Sequence, residues 1–147
     1  MPTTPRIETV EQVFNGQAVM IRLAGLQTVD FATPIRKLVY WLSSKGIRHF
    51  IYDLRKAQYV TEDVHQITEY IIAAARVMPR FHVAILHQGE NPTVVQALIK
   101  ANKTMGNAVV DVRSLDEARN WMFPGLVDPV SLDDDTFDLD SLDRRSA

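Results

Sequence analysis

The chain has 147 residues, 46% hydrophobic and 23% charged, with a net charge of −2 and no cysteine. This is enough for one domain with a core of ordinary size, and it excludes disulfides, thiolate metal sites and thiol nucleophiles. No apolar run nears the ~20 residues of a membrane-spanning helix, and Met1–Arg6 lacks the apolar core of a signal peptide, so a cytoplasmic location is expected. The charge is uneven. Residues 128–147 hold seven aspartates and two arginines, a net −5, which leaves +3 on residues 1–127. That body is too weakly basic for a nucleic-acid binder, so no nucleic-acid partner is expected.

In chain order, Ile7–Phe14 and Ala18–Leu23 are apolar-rich runs around Asn15-Gly16, a pair that suits a type I′ turn; two antiparallel strands are predicted. Phe31, Ile35, Leu38, Val39 and Leu42 fall on one helical face, Pro34 fits a first turn, and Gly46 supplies a stop. Phe50–Leu54 reads as a strand covered on both faces. A short polar loop, Lys56–Val60, should follow it. Thr61 is the expected N-cap of the next helix, with Glu62 and Asp63 at the positive end of its dipole. Val64, Ile67, Ile71 and Met78 form its inner face, and Pro79 ends it. His82–Leu86 is the fourth strand. Asn91 and Pro92 open a third helix, with Val94, Val95, Leu98, Ile99 and Met105 inward and Gly106 closing it. Ala108–Val112 is the fifth strand. Ser114-Leu115-Asp116-Glu117 is a capping box for a short last helix.

The order is β-β-α-β-α-β-α-β-α. A hairpin followed by βα units predicts an α/β domain over residues 1–125 with a five-stranded mixed sheet, its later strands parallel. Residues 126–147 are Asp-rich and predicted to be a disordered tail.

Phe50-Ile51-Tyr52-Asp53-Leu54-Arg55, Val83-Ala84-Ile85-Leu86 and Ser114-Leu115-Asp116-Glu117-Ala118-Arg119-Asn120-Trp121, in this order of elements, resemble a STAS domain. More narrowly, residues 7–123 resemble the small bacterial proteins with the anti-sigma-factor-antagonist fold, described as STAS/CRAL-TRIO-like. The resemblance implies a non-enzymatic regulatory or protein-interaction module. Antagonist STAS domains switch by phosphorylation of a serine in an Asp-Ser-Ser-Gly stretch at the start of the second helix. The corresponding residues here are Thr61-Glu62-Asp63-Val64, with Glu62, or Thr61 on a one-residue shift, at the modified position. The missing serine sets that switch in question, and a carboxylate imitates a phosphate's charge only in part.

The candidate binding residues lie where the third and fourth strands meet the helices after them: Asp53, Arg55, Tyr59, Thr61, Glu62, His87, Glu90 and Asn91. Helix N-termini at such an edge favour anions, and Arg55 suits an anionic partner. Each residue also has a plainer reading. Thr61 and Glu62 serve as cap and dipole compensation, Asp53 and Arg55 as a local ion pair, and His87 as a loop-edge histidine. Glu62, His65 and Glu69 share one helical face with no second histidine at ligand spacing, so no metal is expected. His82 and His87 point to opposite faces. Tyr40, Trp41, Tyr59 and Trp121 suit either an apolar pocket or ordinary core and interface. There is no Gly-x-Ser-x-Gly elbow, Walker-type loop or Ser-His-Asp arrangement, so neither catalytic residues nor a cofactor is expected. Two roles remain open. One is a module that docks an unidentified protein; the alternative is a carrier of a small apolar molecule or lipid in a pocket between sheet and helices. The sheet's edges suit a homodimer.

Overall fold

Two tyrosines, a buried aspartate and a buried histidine are set around one sheet, and its topology decides which of them meet. The structure is a computed structural model, and it describes residues 3–126. The segment expected to form an acidic tail lies, from residue 127 onward, outside the described residues. The elements are β1 (Arg6–Val13), β2 (Ala18–Leu26), α1 (Ala32–Ser44), β3 (His49–Gln58), α2 (Thr61–Ala74), β4 (His82–Leu86), α3 (Pro92–Thr104), β5 (Ala108–Val112) and α4 (Leu115–Met122), with a 3-10 turn at Ala75–Val77. This is the expected α/β element order, and the five strands form one mixed sheet in the order β1-β2-β3-β4-β5. β1 pairs antiparallel with β2, and the other three pairings are parallel.

Each parallel connection steps one strand in the same direction, so crossovers of a single hand put their helices on one face. Alternation along the strands then splits the core in two. Val19, Ile21, Leu23, Phe50, Leu54, Val83 and Ile85 face α1, α2 and α3, where Val39, Leu42 and Val95 meet them. Met20, Ile51, Ala84, Leu86 and Val112 face the other way and pack against Ala118 and Met122 of α4. Fully buried residues such as Phe50, Ile21 and Ile85 each contribute about 1.5–3 kcal/mol by leaving water.

One local expectation holds and two need correction. The hairpin turn lies at Asn15-Gly16 as expected: both have positive φ (58° and 80°), and Gln17 N–H donates to the Phe14 carbonyl at 3.2 Å; Phe14 too has positive φ (56°), and Gly16 N–H donates to the Val13 carbonyl at 3.1 Å. Phe14 accepts this strained conformation because its ring is buried, edge-on to Phe123 at 6.1 Å. The third strand does not stop at Leu54. It runs on to Gln58, because Ala24, Gly25 and Leu26 of β2 pair with Lys56, Ala57 and Gln58; the polar loop shrinks to Tyr59 and Val60. Thr61 is not the N-cap. Val60 holds that position with extended backbone, and no side chain caps the helix. Asn91 does occupy the N-cap of α3, but its side chain makes no capping bond. Ser114 caps α4 as expected, accepting from Glu117 N–H at 3.1 Å.

One glycine holds the edge of the sheet together. Gly25 has φ +80°, and a Cβ there would run into the Thr4 carbonyl, so only glycine lets the N-terminal segment cross and Leu26 N–H donate to Thr3 O at 2.9 Å.

Candidate functional site

The face covered by α1, α2 and α3 carries a cavity of about 130 Å³, partly open to solvent. It arises where β2 and β3 pass beneath α1 and α2. Leu23, Leu54, Val83 and Ile85 form its floor, and Ile35, Val39, Ile67, Ile71 and Leu98 come from the helices above. Large β-branched and aliphatic side chains lie on the strands, whereas the last residue of α2 and the first of the 3-10 turn, Ala74 and Ala75, line the space with small ones. The volume is close to the apolar cavity of about 150 Å³ that holds a benzene molecule.

The polar side chains lining the cavity divide sharply. The Gln27 amide donates to the Ala24 and Gly25 carbonyls at 3.1 and 3.2 Å. Thr28 Oγ1 accepts from Phe31 N–H. Tyr70 bonds Thr33 Oγ1 at 2.8 Å and accepts from Arg36 Nε at 3.1 Å, tying α2 to α1. Asn102 donates to Leu98 O, and Asn107 donates to Asn102 Oδ1 while accepting from Phe81 N–H. Tyr52 and Tyr59 alone among these have no hydrogen-bond partner within the described residues, although both line the cavity. Burial pushes both phenols well above their ordinary pKa, so each keeps its proton. Both are half-buried members of the lining.

The opposite face carries a closed ionic knot. Asp53, 1% exposed, follows Ile51 by two residues on β3 and so points to the α4 side. Arg55 Nε donates to its Oδ1 at 2.9 Å, Arg55 Nη2 to its Oδ2 at 2.8 Å, and Arg55 N–H to Oδ1 at 3.1 Å. From β2, in register with Asp53, Arg22 Nε donates to Oδ2 at 2.8 Å. Burial works to raise this carboxyl's pKa, but the hydrogen bonds from Arg55 and Arg22 outweigh it and hold the pKa down to about 2.

Beyond β4, buried His87 accepts at Nδ1 from Gly89 N–H at 3.0 Å, and its Nε2 lies 3.1 Å from Asp111 Oδ2. Nδ1 is an acceptor in this arrangement, so the proton sits on Nε2 and is donated to the Asp111 carboxylate. Glu90 Oε2 accepts from Gln88 N–H at 3.2 Å and shapes the same turn.

The eight candidate residues therefore do not form one site. Asp53 and Arg55 join each other on the α4 face, Tyr59 belongs to the cavity on the other face, and His87 and Glu90 order the β4–α3 turn. Thr61, Glu62 and Asn91 are exposed at the helix starts. His65 and Glu69 pair across one turn of α2 at 3.1 Å in solvent. Tyr40 and Trp41 project from α1 with 52% and 56% exposure, and Trp121 of α4 sits beside His82. Tyr52, Tyr70, Arg22 and Asp111 went unremarked in sequence. A signal existed for Arg22 and Asp111, since each is a lone charge inside a strand-forming apolar run. No family model matches this chain, and comparison with curated proteins finds no match.

Proposed function

We propose that the chain is a non-enzymatic binding module that takes up a small apolar molecule in the cavity between its sheet and α1 and α2. The observation that carries this reading is the cavity itself: about 130 Å³, walled by aliphatic side chains from three strands and three helices, in a core where close packing is the rule. His87, the one buried histidine among the described residues, has both ring nitrogens engaged, and this supports binding rather than acid–base chemistry. Native mass spectrometry of gently purified protein tests the reading. A co-purifying small organic molecule, or methyl shifts of Ile35, Ile67 and Leu98 on titration with benzene, is the expected result. Protein that carries nothing and whose cavity methyls ignore saturating benzene would refute it.

A second reading is a regulatory module of STAS type that docks a protein through the rim. It is supported by the exposure of Arg55, Thr61 and Glu62 near the end of β3 and the start of α2. A pull-down from the native host should recover one partner with the wild type and lose it with Arg55→Ala and Glu62→Ala together. Recovery that ignores both substitutions would count against it.

A further inference from the structure

Resting on the cavity reading above, we propose that the molecule taken up is a small aliphatic carboxylate, with its hydrocarbon body in the cavity and its carboxylate on the Arg36 guanidinium. Among the described residues Arg36 is the single ionised side chain of the cavity wall, and the other polar side chains there are neutral. Its place is set by the seam between α1 and α2. Nε donates to the Tyr70 hydroxyl at 3.1 Å, and that hydroxyl lies 2.8 Å from Thr33 Oγ1. Tying the two helices together takes one donor, and Nε supplies it. A guanidinium carries four further N–H groups on Nη1 and Nη2, and in Arg36 these make no hydrogen bond or ion pair among the described residues.

The surroundings favour a negative charge at this point. α1 holds Arg36 and Lys37 and no acid. Glu69, the acid next to Tyr70 in α2, is paired with His65 at 3.1 Å. The hydrogen bond with Thr33 leads in holding the Tyr70 phenol below its ordinary pKa; the bond and charge of Arg36 and the charge of Lys37 act in the same direction, against burial. Surroundings that ease the ionisation of a phenol oxygen also suit a carboxylate oxygen. Arg36 and Tyr70 are half-buried in a cavity partly open to solvent, so the carboxylate keeps part of its hydration and avoids the cost of full burial. One guanidinium matches a single negative charge, and this favours a carboxylate over a phosphate with nearly two. The cavity sets the length. At about 130 Å³ it is comparable to a space that holds benzene, so a chain of about six carbons fits.

The test titrates hexanoate and hexanamide, which share a chain and differ in the charge of the head, at neutral pH. Each is added to the full chain and to Arg36→Met, with the methyl resonances of Ile35, Ile67 and Leu98 as the readout. Hexanoate is expected to bind the wild type about fivefold or more tighter than hexanamide, and Arg36→Met to remove that difference. Equal binding of the two by the wild type, or a preference for hexanoate that survives in Arg36→Met, would overturn the proposal. Benzene separates this outcome from the cavity reading. Shifts with benzene and none with hexanoate refute the carboxylate alone, whereas silence with both refutes the cavity as well. Benzene also reports that the variant's cavity is intact. Should Arg36→Met unfold, salt decides on the wild type. Raising sodium chloride from about 0.02 to 0.5 M should weaken hexanoate and leave hexanamide unchanged, and a hexanoate affinity indifferent to salt would overturn the role of Arg36.

Discussion

The two faces of this sheet handle polarity in opposite ways. On the α4 face, Asp53 is buried among Arg22 and Arg55 and accepts four hydrogen bonds. On the face beneath α1 and α2, Tyr52 and Tyr59 carry hydroxyls with no partner among the described residues, beside an unfilled volume. A buried group with every valence met is structural by default, whereas a group with unmet capacity next to open space awaits something. The contrast separates what holds β2 to β3 from the space in which the proposed ligand would sit.

Removing the knot's centre should have the largest effect. Asp53→Ala strands two guanidinium groups side by side and is expected to cost about 3 kcal/mol, read as a lower urea midpoint at unchanged slope. Cavity binding by the folded fraction should not change; a loss of binding there would join the two faces and break the comparison. Acid probes the same group more gently. With its pKa at about 2 against an ordinary 3.8, Asp53 binds its proton less readily folded than unfolded. Its contribution is complete above about pH 4 and is lost as the pH falls through about 2, amounting to about 2 kcal/mol. Urea titrations across that window should show the loss in the wild type and not in Asp53→Ala.

Filling the other face sharpens the contrast from its own side. Ala74→Leu pushes a larger side chain into the cavity and is expected to stabilise the fold by about 1 kcal/mol, while abolishing the benzene-induced methyl shifts. Destabilisation by a similar amount would mean that the space is too small or too rigid to be filled. The smallest effect belongs to the His87–Asp111 pair. Asp111 is exposed and an amide oxygen accepts the same hydrogen bond, so Asp111→Asn should change stability by under about 0.5 kcal/mol, measured by thermal unfolding at neutral pH.

The parts of the fold legible in sequence were those with local punctuation. β4 and β5 were readable to the residue, since each is a short apolar run closed by a turn. α4 was readable from Ser114 and Glu117, whose contact lies within a single helical turn. The far half of β3 was not readable. Lys56 and Gln58 look like loop residues, and they are strand only because β2 lies alongside to pair with them. Thr61 lost the cap to Val60, whose backbone is extended, because the strand ends only two residues before the helix. The site was less legible than the fold. Asp53, Tyr59 and His87 stood among the candidate rim residues, but nothing in their spacing says that Asp53 and Tyr59 face opposite ways across the bulge that interrupts β2–β3 pairing.

Apolar alternation, caps and turn residues determined the class of this protein, its element order and its mixed sheet, because those signals act over a few neighbouring residues. Tertiary structure alone decided that Arg22 would close on Asp53, that Asp111 would reach His87, and that Tyr52 and Tyr59 would line one space. Pairing register set the first two contacts between residues 31 and 24 apart, a range over which chain sequence carries no local geometric signal, and a strand bulge with helix packing set the third.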